Sequence, residues 1–386
     1  MTIKHRNLLW FGITILISLL LIFKFGWGQF NIHFTNSEPK TQATATTDTG
    51  LFSKQQFNET VDHFPNFSQL IRETQDDEEY YTMNDFAVQP GLLATRTRNG
   101  DNGKTVMCTT MVPQGVTVAG NYLLTTAYDG VGKHNSVIYV QNYQTHKLLK
   151  TIVLHGKPHV GGITYDPQSK EVWVCGRQYG QAATFAISMK AIQNYDDAKA
   201  PLIHYNQKAL LGYLTRASFI TYHKQALYVG LFNARGRGHV EKFNLKKDGS
   251  IAGENIGKAT QRQWNAYSES VLQQNVLTQI QGIVYYHGYT ILSQSFGSGQ
   301  SKLYVFKEKP SGGNYRPSDA LTSIETPAHL EQISASHGRL YMNFESGSYS
   351  YRHRSPDNVD RIVSFNLQDI INQAKIGLCP YNWCKF

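Results

Sequence analysis

The chain has 386 residues, of which 41% are hydrophobic, 12% aromatic and only 17% charged, and 23 are tyrosines. That balance favours an all-β domain of extracellular type over a helical cytosolic one, because aromatic side chains suit a pleated surface. The net charge of +9 is spread too thinly for nucleic acid to be a partner, and no basic and aromatic array of the single-strand-binding kind occurs.

The first thirty residues stand apart. Lys4, His5 and Arg6 precede an uncharged run whose apolar core, Leu8–Phe23, is 16 residues long and ends at Lys24. This is long for the apolar part of a secretory signal and slightly short for a spanning helix. Phe25, Trp27 and Phe30 follow where an interfacial aromatic belt would sit. The nearest small-residue cleavage site, Ala43-Thr-Ala45, comes too late. Residues 1–30 therefore read as an uncleaved signal anchor, a transmembrane helix with its basic N-terminus in the cytoplasm. The rest is then extracytoplasmic, on a single-pass plasma-membrane protein; secretion after cleavage is the alternative. With Lys4, Arg6 and Lys24 in the anchor, the remainder carries 34 basic against 28 acidic residues. That mild surplus suits anionic partners such as a glycan, a wall polymer or lipid headgroups.

Residues 31–79 read as a polar, flexible tether: Asn31–Gly50 has too few large apolar residues to fold, and Leu51–Glu79, with scattered Phe residues and helix formers, is compatible with a short helix. Its acidic run, Asp76–Glu79, lacks the ligand alternation and turn glycine of a calcium loop and reads as solvated surface.

From there the chain repeats itself. Gln114-Gly-Val-Thr-Val118, Gly161-Gly-Ile-Thr-Tyr165, Ser218-Phe-Ile-Thr-Tyr222, Gln281-Gly-Ile-Val-Tyr285 and Glu331-Gln-Ile-Ser-Ala335 each open a unit. Each is followed by two more strand patterns, as in Val172-Trp-Val-Cys-Gly176 and Ala183-Thr-Phe-Ala-Ile187. Aligned on Gly115, Gly162, Phe219, Gly282 and Gln332, the units are spaced by 47, 57, 63 and 50 residues. One blade of a β-propeller, four antiparallel strands named A to D from the axis outward, takes about 40 to 50 residues. The D strands are expected at 147–154, 201–205, near 268–276 and at 320–325. Short helices after the second and fifth C strands, at 188–200 and 366–376, account for extra length, with Ser188 as N-cap.

The expected fold is therefore an all-β propeller over 80–386, with five blades. The fifth unit lacks a D strand downstream, and Lys104–Met111 is the expected strand that closes the ring upstream, removing an exposed edge. Six blades, with Tyr80–Arg98 as a degenerate one, is the alternative. The recurrent glycines fit close backbone approach around a central channel. Cys108 and Cys175 fall in strand patterns and read as buried thiols. Cys379 and Cys384, in the C-terminal tail, are spaced for a short disulfide.

On these repeats, over Lys104–Gln373, the chain resembles bacterial β-propeller repeat proteins of the YVTN-type and NHL-like class. The resemblance implies architecture and brings no catalytic signature with it.

In a propeller the D-to-A connections and B-to-C loops open on one face, which gathers residues far apart in sequence into a mouth. The ligand-binding candidates there are Gln114, His134, Arg177, Ser218, Asn233, Arg235, Gln281, Gln294 and Glu345. The acid/base candidates are His159, whose imidazole sits beside small residues, and Glu331 opposite it. No nucleophile elbow, phosphate loop, zinc-protease helix or dinucleotide fingerprint occurs. The expectation is a cell-surface binding module for a glycan, anionic wall polymer or protein. A lactonase-like hydrolase or lyase acting through His159 and Glu331 is the alternative. No cofactor is implied, although a divalent metal is compatible with the second reading.

Overall fold

The computed structural model describes residues 39–73, 86–258, 261–267, 274–309 and 313–376. The expected anchor at 1–30, the acidic run and the paired cysteines of the tail lie outside these. Among the described residues no helix is long and apolar enough to cross a membrane.

Five antiparallel sheets form five blades. Blade 1 is Met111–Ala119, Tyr122–Asp129, Val137–Asn142 and Leu148–Val153. Blade 2 is Ile163–Asp166, Glu171–Gln178, Gln181–Ser188 and Gln207–Leu211; blade 3 is Phe219–His223, Ala226–Leu231, His239–Asn244 and Gln274–Asn275. Blade 4 is Ile280–Tyr286, Tyr289–Gln294, Ser301–Lys307 and Thr322–Thr326; blade 5 is Leu330–Ser336, Arg339–Phe344, Arg361–Asn366 and the upstream pair Ala87–Val88. The A strands begin where the five repeats were aligned.

Apolar clusters fill the gaps between successive sheets, as between blades 1 and 2 (Ile138, Ile152, Ile163, Val174) and blades 4 and 5 (Ile291, Val305, Ile333, Met342). Each blade buries both faces and so reads as near-continuous apolar sequence. The A-to-B hairpins at His287-Gly288 and His337-Gly338 place both turn residues at positive φ, the primed geometry that matches strand twist. A Cβ on Gly162 would stand 2.6 Å from the Ile220 amide nitrogen, and one on Gly282 would stand 2.8 Å from that of Ile333. The axial glycines are there because neighbouring A strands touch through their backbones.

Four expectations need correction. Among the described residues the ring closes with five blades and no sixth. Its closing strand is Ala87–Val88, which pairs with Ile362 and Arg361; the stretch around Val106 does not reach the last blade. Thr105–Cys108 instead pairs with Thr95–Arg98 as a separate hairpin. The turn Asn99-Gly-Asp-Asn-Gly103 makes that local pairing easy: the Asn99 side chain accepts from the amides of Asp101 and Asn102, and Gly103 adopts φ +68°.

The outer strand of blade 2 is Gln207–Leu211, later than expected. The stretch 201–205 instead buries Ile203 and Tyr205 against blade 1, where the Ile203 amide donates to the Val153 carbonyl at 2.9 Å. Blade 2 is extended by Gln263–Ala266, parallel to Gln207–Leu211, and by Gly253–Asn255.

Over 39–73 the expected tether is a strap laid on the ring. The Thr47 amide donates to the Ala94 carbonyl at 2.9 Å, and the Asp360 carboxylate accepts from the amides of Leu51 (2.6 Å) and Phe52 (2.9 Å). Two helices follow, α1 (Lys54–Asp62), opened by a Ser53/Gln56 capping box, and α2 (Pro65–Glu73). Phe57, Val61, Phe64, Phe67, Leu70 and Ile71 enter the core of blades 4 and 5, beside the C-terminal helix α4 (Leu367–Ile376). The short helix expected after blade 2 is α3 (Met189–Gln193), capped by Ser188. Cys108 and Cys175 are buried.

Candidate functional site: an acidic cup on the propeller axis

Gln332 stands where three of the other units have glycine, and its side chain crosses the axis. Its Oε1 accepts from the amides of Val116 (3.2 Å) and Ile163 (2.9 Å), and its Nε2 donates to the carbonyls of Ile163 (2.9 Å) and Ile220 (2.7 Å). One amide from blade 5 thus ties together the A strands of blades 1, 2 and 3 and forms a floor in the channel.

Above it, on the face of the D-to-A and B-to-C loops, lies a cup of polar and aromatic side chains. The buried Glu345 carboxylate accepts from Gln114 Nε2 at 3.0 Å and stands 3.3 Å from His329 Nδ1. The buried Glu331 accepts from Gln281 Nε2 at 3.1 Å. Burial, and then the negative charge of Glu345, pushes the Glu331 carboxyl well above the usual range. Glu331 therefore retains its proton to higher pH than an ordinary carboxyl, while Glu345 is held by Gln114 and His329.

The wall is aromatic. Tyr128 stacks on His159 with ring centroids 3.9 Å apart, and Tyr351 lies 4.6 Å from the His329 ring. Burial, then the charge of Glu345, raises the Tyr128 phenol, which also shares a hydrogen bond with Tyr351. His159 is walled in on the Tyr128 side and open to solvent on the other. Crowding lowers its pKa, the pull of Glu345 opposes this, and Arg216 adds to the lowering. Its imidazole is therefore neutral at pH 7, an acceptor as well as a donor.

A buried relay runs inward from the ring closure. Gln89 Nε2 donates to Asn343 Oδ1 (2.7 Å), Asn343 Nδ2 to the Gln114 carbonyl (2.9 Å), and Gln114 to Glu345. The strand that shuts the ring and the carboxylate of the cup thus share one network.

Of the residues expected at the mouth, Gln114, His159, Gln281, Glu331 and Glu345 come together here. Ser218 occupies the same place in its repeat as Gln281 and Glu331, with its amide bonded to the Gly230 carbonyl. Gln294 is turned to its own blade, donating to the Thr278 carbonyl at 2.8 Å and accepting from Tyr304. Asn233 builds its own turn by accepting from the amides of Arg235 and Gly236, and Arg235 is exposed on that turn. Arg177 reaches the Gly180 carbonyl in its hairpin at 2.7 Å.

His134 departs most from expectation. It is buried behind blade 1 with Nδ1 2.9 Å from Asp129 Oδ2, in a group that includes Cys108. Asp129 follows Tyr128 in a strand, so the two side chains point to opposite faces.

His329, Tyr128 and Tyr351 were legible as loop residues without being distinguished among them. His329 stands at the same offset before its A strand as His159 does, which is a signal the repeat alignment contains. Among the described residues, the group of His, Cys, Asp and Glu atoms close enough to share a metal is Cys108, Asp129 and His134, and it includes none of the cup residues.

The fold and this axial cup define the chain as a five-bladed β-propeller. No family model and no curated protein matches it by sequence. Partial structural similarity exists to the PQQ-bound aldose sugar dehydrogenase of Streptomyces coelicolor, at 15% identity over 65% of this chain and 77% of that one, TM-score 0.38. The RRP9 WD40 repeats overlap at 10% identity over 66% of this chain and 79% of that one, TM-score 0.35. Hydrazine synthase of Kuenenia stuttgartiensis overlaps at 10% identity over 63% of this chain, TM-score 0.31, and the match spans 58% of that chain. The propeller assignment rests on the five sheets themselves.

Proposed function

We propose that the chain is a carbohydrate-binding propeller, held at the outer face of the plasma membrane by residues 1–30, with the axial cup as its binding site. The observation that carries this is the cup: two carboxyl side chains, Glu331 and Glu345, the His159 imidazole and two phenols around one opening. Such a set offers donors and acceptors to hydroxyl groups, while the faces of Tyr128 and Tyr351 suit the apolar side of a sugar ring. Exposed aromatics on the same face extend the platform. Tyr179 is 83% exposed and Tyr213 69%, and Phe232 and the 59% exposed Phe296 form a pair with centroids 6.0 Å apart. The two carboxyl side chains of the cup favour neutral or amino sugars, and the anionic groups of a wall polymer would lie outward, toward Arg177, Arg216 and Arg235.

The test is a panel of neutral, amino and acidic oligosaccharides titrated against the whole chain in detergent. Binding should weaken at least tenfold, about 1.4 kcal/mol, in Tyr128→Ala and in Glu345→Gln. Binding that neither variant alters, or no binding across the panel, would overturn the reading.

The second reading is a hydrolase or lyase. It is favoured by the raised Glu331 carboxyl beside Glu345, since a carboxyl that retains its proton to higher pH can act as a general acid. Mass spectrometry of the bound oligosaccharide separates the two: intact sugar supports binding alone. Cleavage that stops in Glu331→Gln while binding persists supports catalysis.

A further inference from the structure

The carboxylate behind blade 1 has an unusual setting. Asp129 accepts from Thr110 Oγ1 (2.6 Å) and the amides of Val131 (3.1 Å), Lys133 (2.8 Å) and His134 (2.9 Å), besides His134 Nδ1. Cys108 Sγ lies 3.5 Å from Thr110 Oγ1. One ligand atom each of Cys108, Asp129 and His134 lies within 4.8 Å of the others, and none of the three residues is more than 6% exposed.

These groups come from two elements clamped together by backbone. Asn99 bridges His134, the Gly100 amide donates to the Lys133 carbonyl (2.8 Å), and the Asn135 amide donates to the Arg98 carbonyl (2.8 Å). Cys108 is on the Thr95–Cys108 hairpin, while Asp129 and His134 flank the B-to-C loop of blade 1.

We infer that Cys108, Asp129 and His134 form a structural zinc site that fastens the hairpin to the ring. Zinc takes thiolate, imidazole and carboxylate ligands at about 2.0–2.3 Å, which places ligand atoms on one tetrahedral ion roughly 3.3–3.8 Å apart. The three ligand atoms lie within 4.8 Å of one another, so closing on one ion draws them together by up to about 1 Å. The ion would replace the hydrogen bond between His134 Nδ1 and Asp129, and Asp129 would keep its four other donors. The imidazole proton moves from Nδ1 to Nε2, and one proton leaves, from the Cys108 thiol. One thiolate and one carboxylate neutralise the divalent charge, so the buried cluster has no net charge. A mixed sulfur, nitrogen and oxygen set selects zinc over magnesium or calcium. Three protein ligands leave the fourth tetrahedral position to a water or to the Thr110 hydroxyl, whose Oγ1 lies 3.5 Å from Cys108 Sγ and 2.6 Å from Asp129 Oδ1, and full burial gives the ion a fastening role apart from the cup.

The test uses cobalt(II) as probe, then zinc, on the reduced full chain carrying Cys379→Ser and Cys384→Ser, which removes the tail thiols as competitors. One cobalt per chain is expected, with a near-ultraviolet thiolate-to-cobalt band that zinc bleaches. Zinc should raise the melting temperature by about 5 °C at saturation. Cys108→Ser should abolish the band, Cys175→Ser should leave it intact, and His134→Gln should weaken binding at least tenfold. Absence of stoichiometric cobalt and zinc binding overturns the site, as does a band that survives in Cys108→Ser. If Cys108→Ser loses its far-ultraviolet dichroism, His134→Gln decides: unchanged affinity overturns the site, and weakened affinity supports it.

Discussion

Glu331 and Gln332 are adjacent in sequence and do opposite work. Glu331 holds a proton in the folded chain that the unfolded chain releases above its ordinary value of 4.5. Stability contributed by that proton is complete below the unfolded value and is lost as pH rises through the raised folded pKa. Over that window stability should fall with pH by up to about 1.4 kcal/mol per unit. Urea midpoints across the window should show this slope in the parent and a flatter profile in Glu331→Gln; parallel profiles would refute the assignment. Gln332 makes four buried bonds to three blades. Gln332→Leu keeps most of the volume and leaves those backbone groups unpaired, so a loss of about 3 kcal/mol is expected in urea unfolding. Gln332 was visible in the sequence as a residue out of keeping with the glycines it aligns with. Its reach across the axis was not, because that depends on how near the A strands come. Likewise His159 was visible beside small residues, while its stacking on Tyr128 joins two loops that only the ring brings together.

Strands and hairpins with local partners were the most readable elements. Alternation, turn residues and the Ser188 cap are all settled within a few residues of chain, and α3 and the A-to-B hairpins lie where those signals put them. The strap was misjudged because the segment 39–73 is polar on average. Five apolar residues of its two helices, with Phe64 between them, are enough to bury it once a groove between blades exists. Asp360 is the clasp, and it is fully buried. In Asp360→Ala the amides of Leu51 and Phe52 lose their acceptor and Arg361 loses its carboxylate partner, 2.8 Å away, keeping the Phe52 carbonyl. Unfolding free energy should drop by about 2–4 kcal/mol, and trypsin should cut at Lys54 earlier than in the parent. Unchanged cleavage there would mean that the helices alone hold the strap. The hairpin at 95–108 was assigned to the wrong partner although its turn sequence was in view, since a strand pattern by itself does not say which edge it will join.

For the ring as a whole, closure rests on two residues, Ala87 and Val88, at the edge of blade 5. A chain begun at Gly91 would leave Arg361–Asn366 as a bare edge and would also lose Gln89 from the relay to Glu345. It should melt lower and associate in proportion to concentration, measured by light scattering, because unpaired strand edges recruit one another. A truncated chain that stays monomeric at high concentration would show that closure lies elsewhere. The blade count and the mouth-lining loops were legible in the sequence because each blade is a local unit whose pattern recurs with its own period. The closing partner, the plugged axis, the raised Glu331 carboxyl and the retreat of His134 behind blade 1 were decided only when the ring assembled. Those features depend on distances and desolvation between segments far apart in the chain, such as Gln89 and Asn343 or Ala87 and Ile362, and no local pattern encodes either quantity.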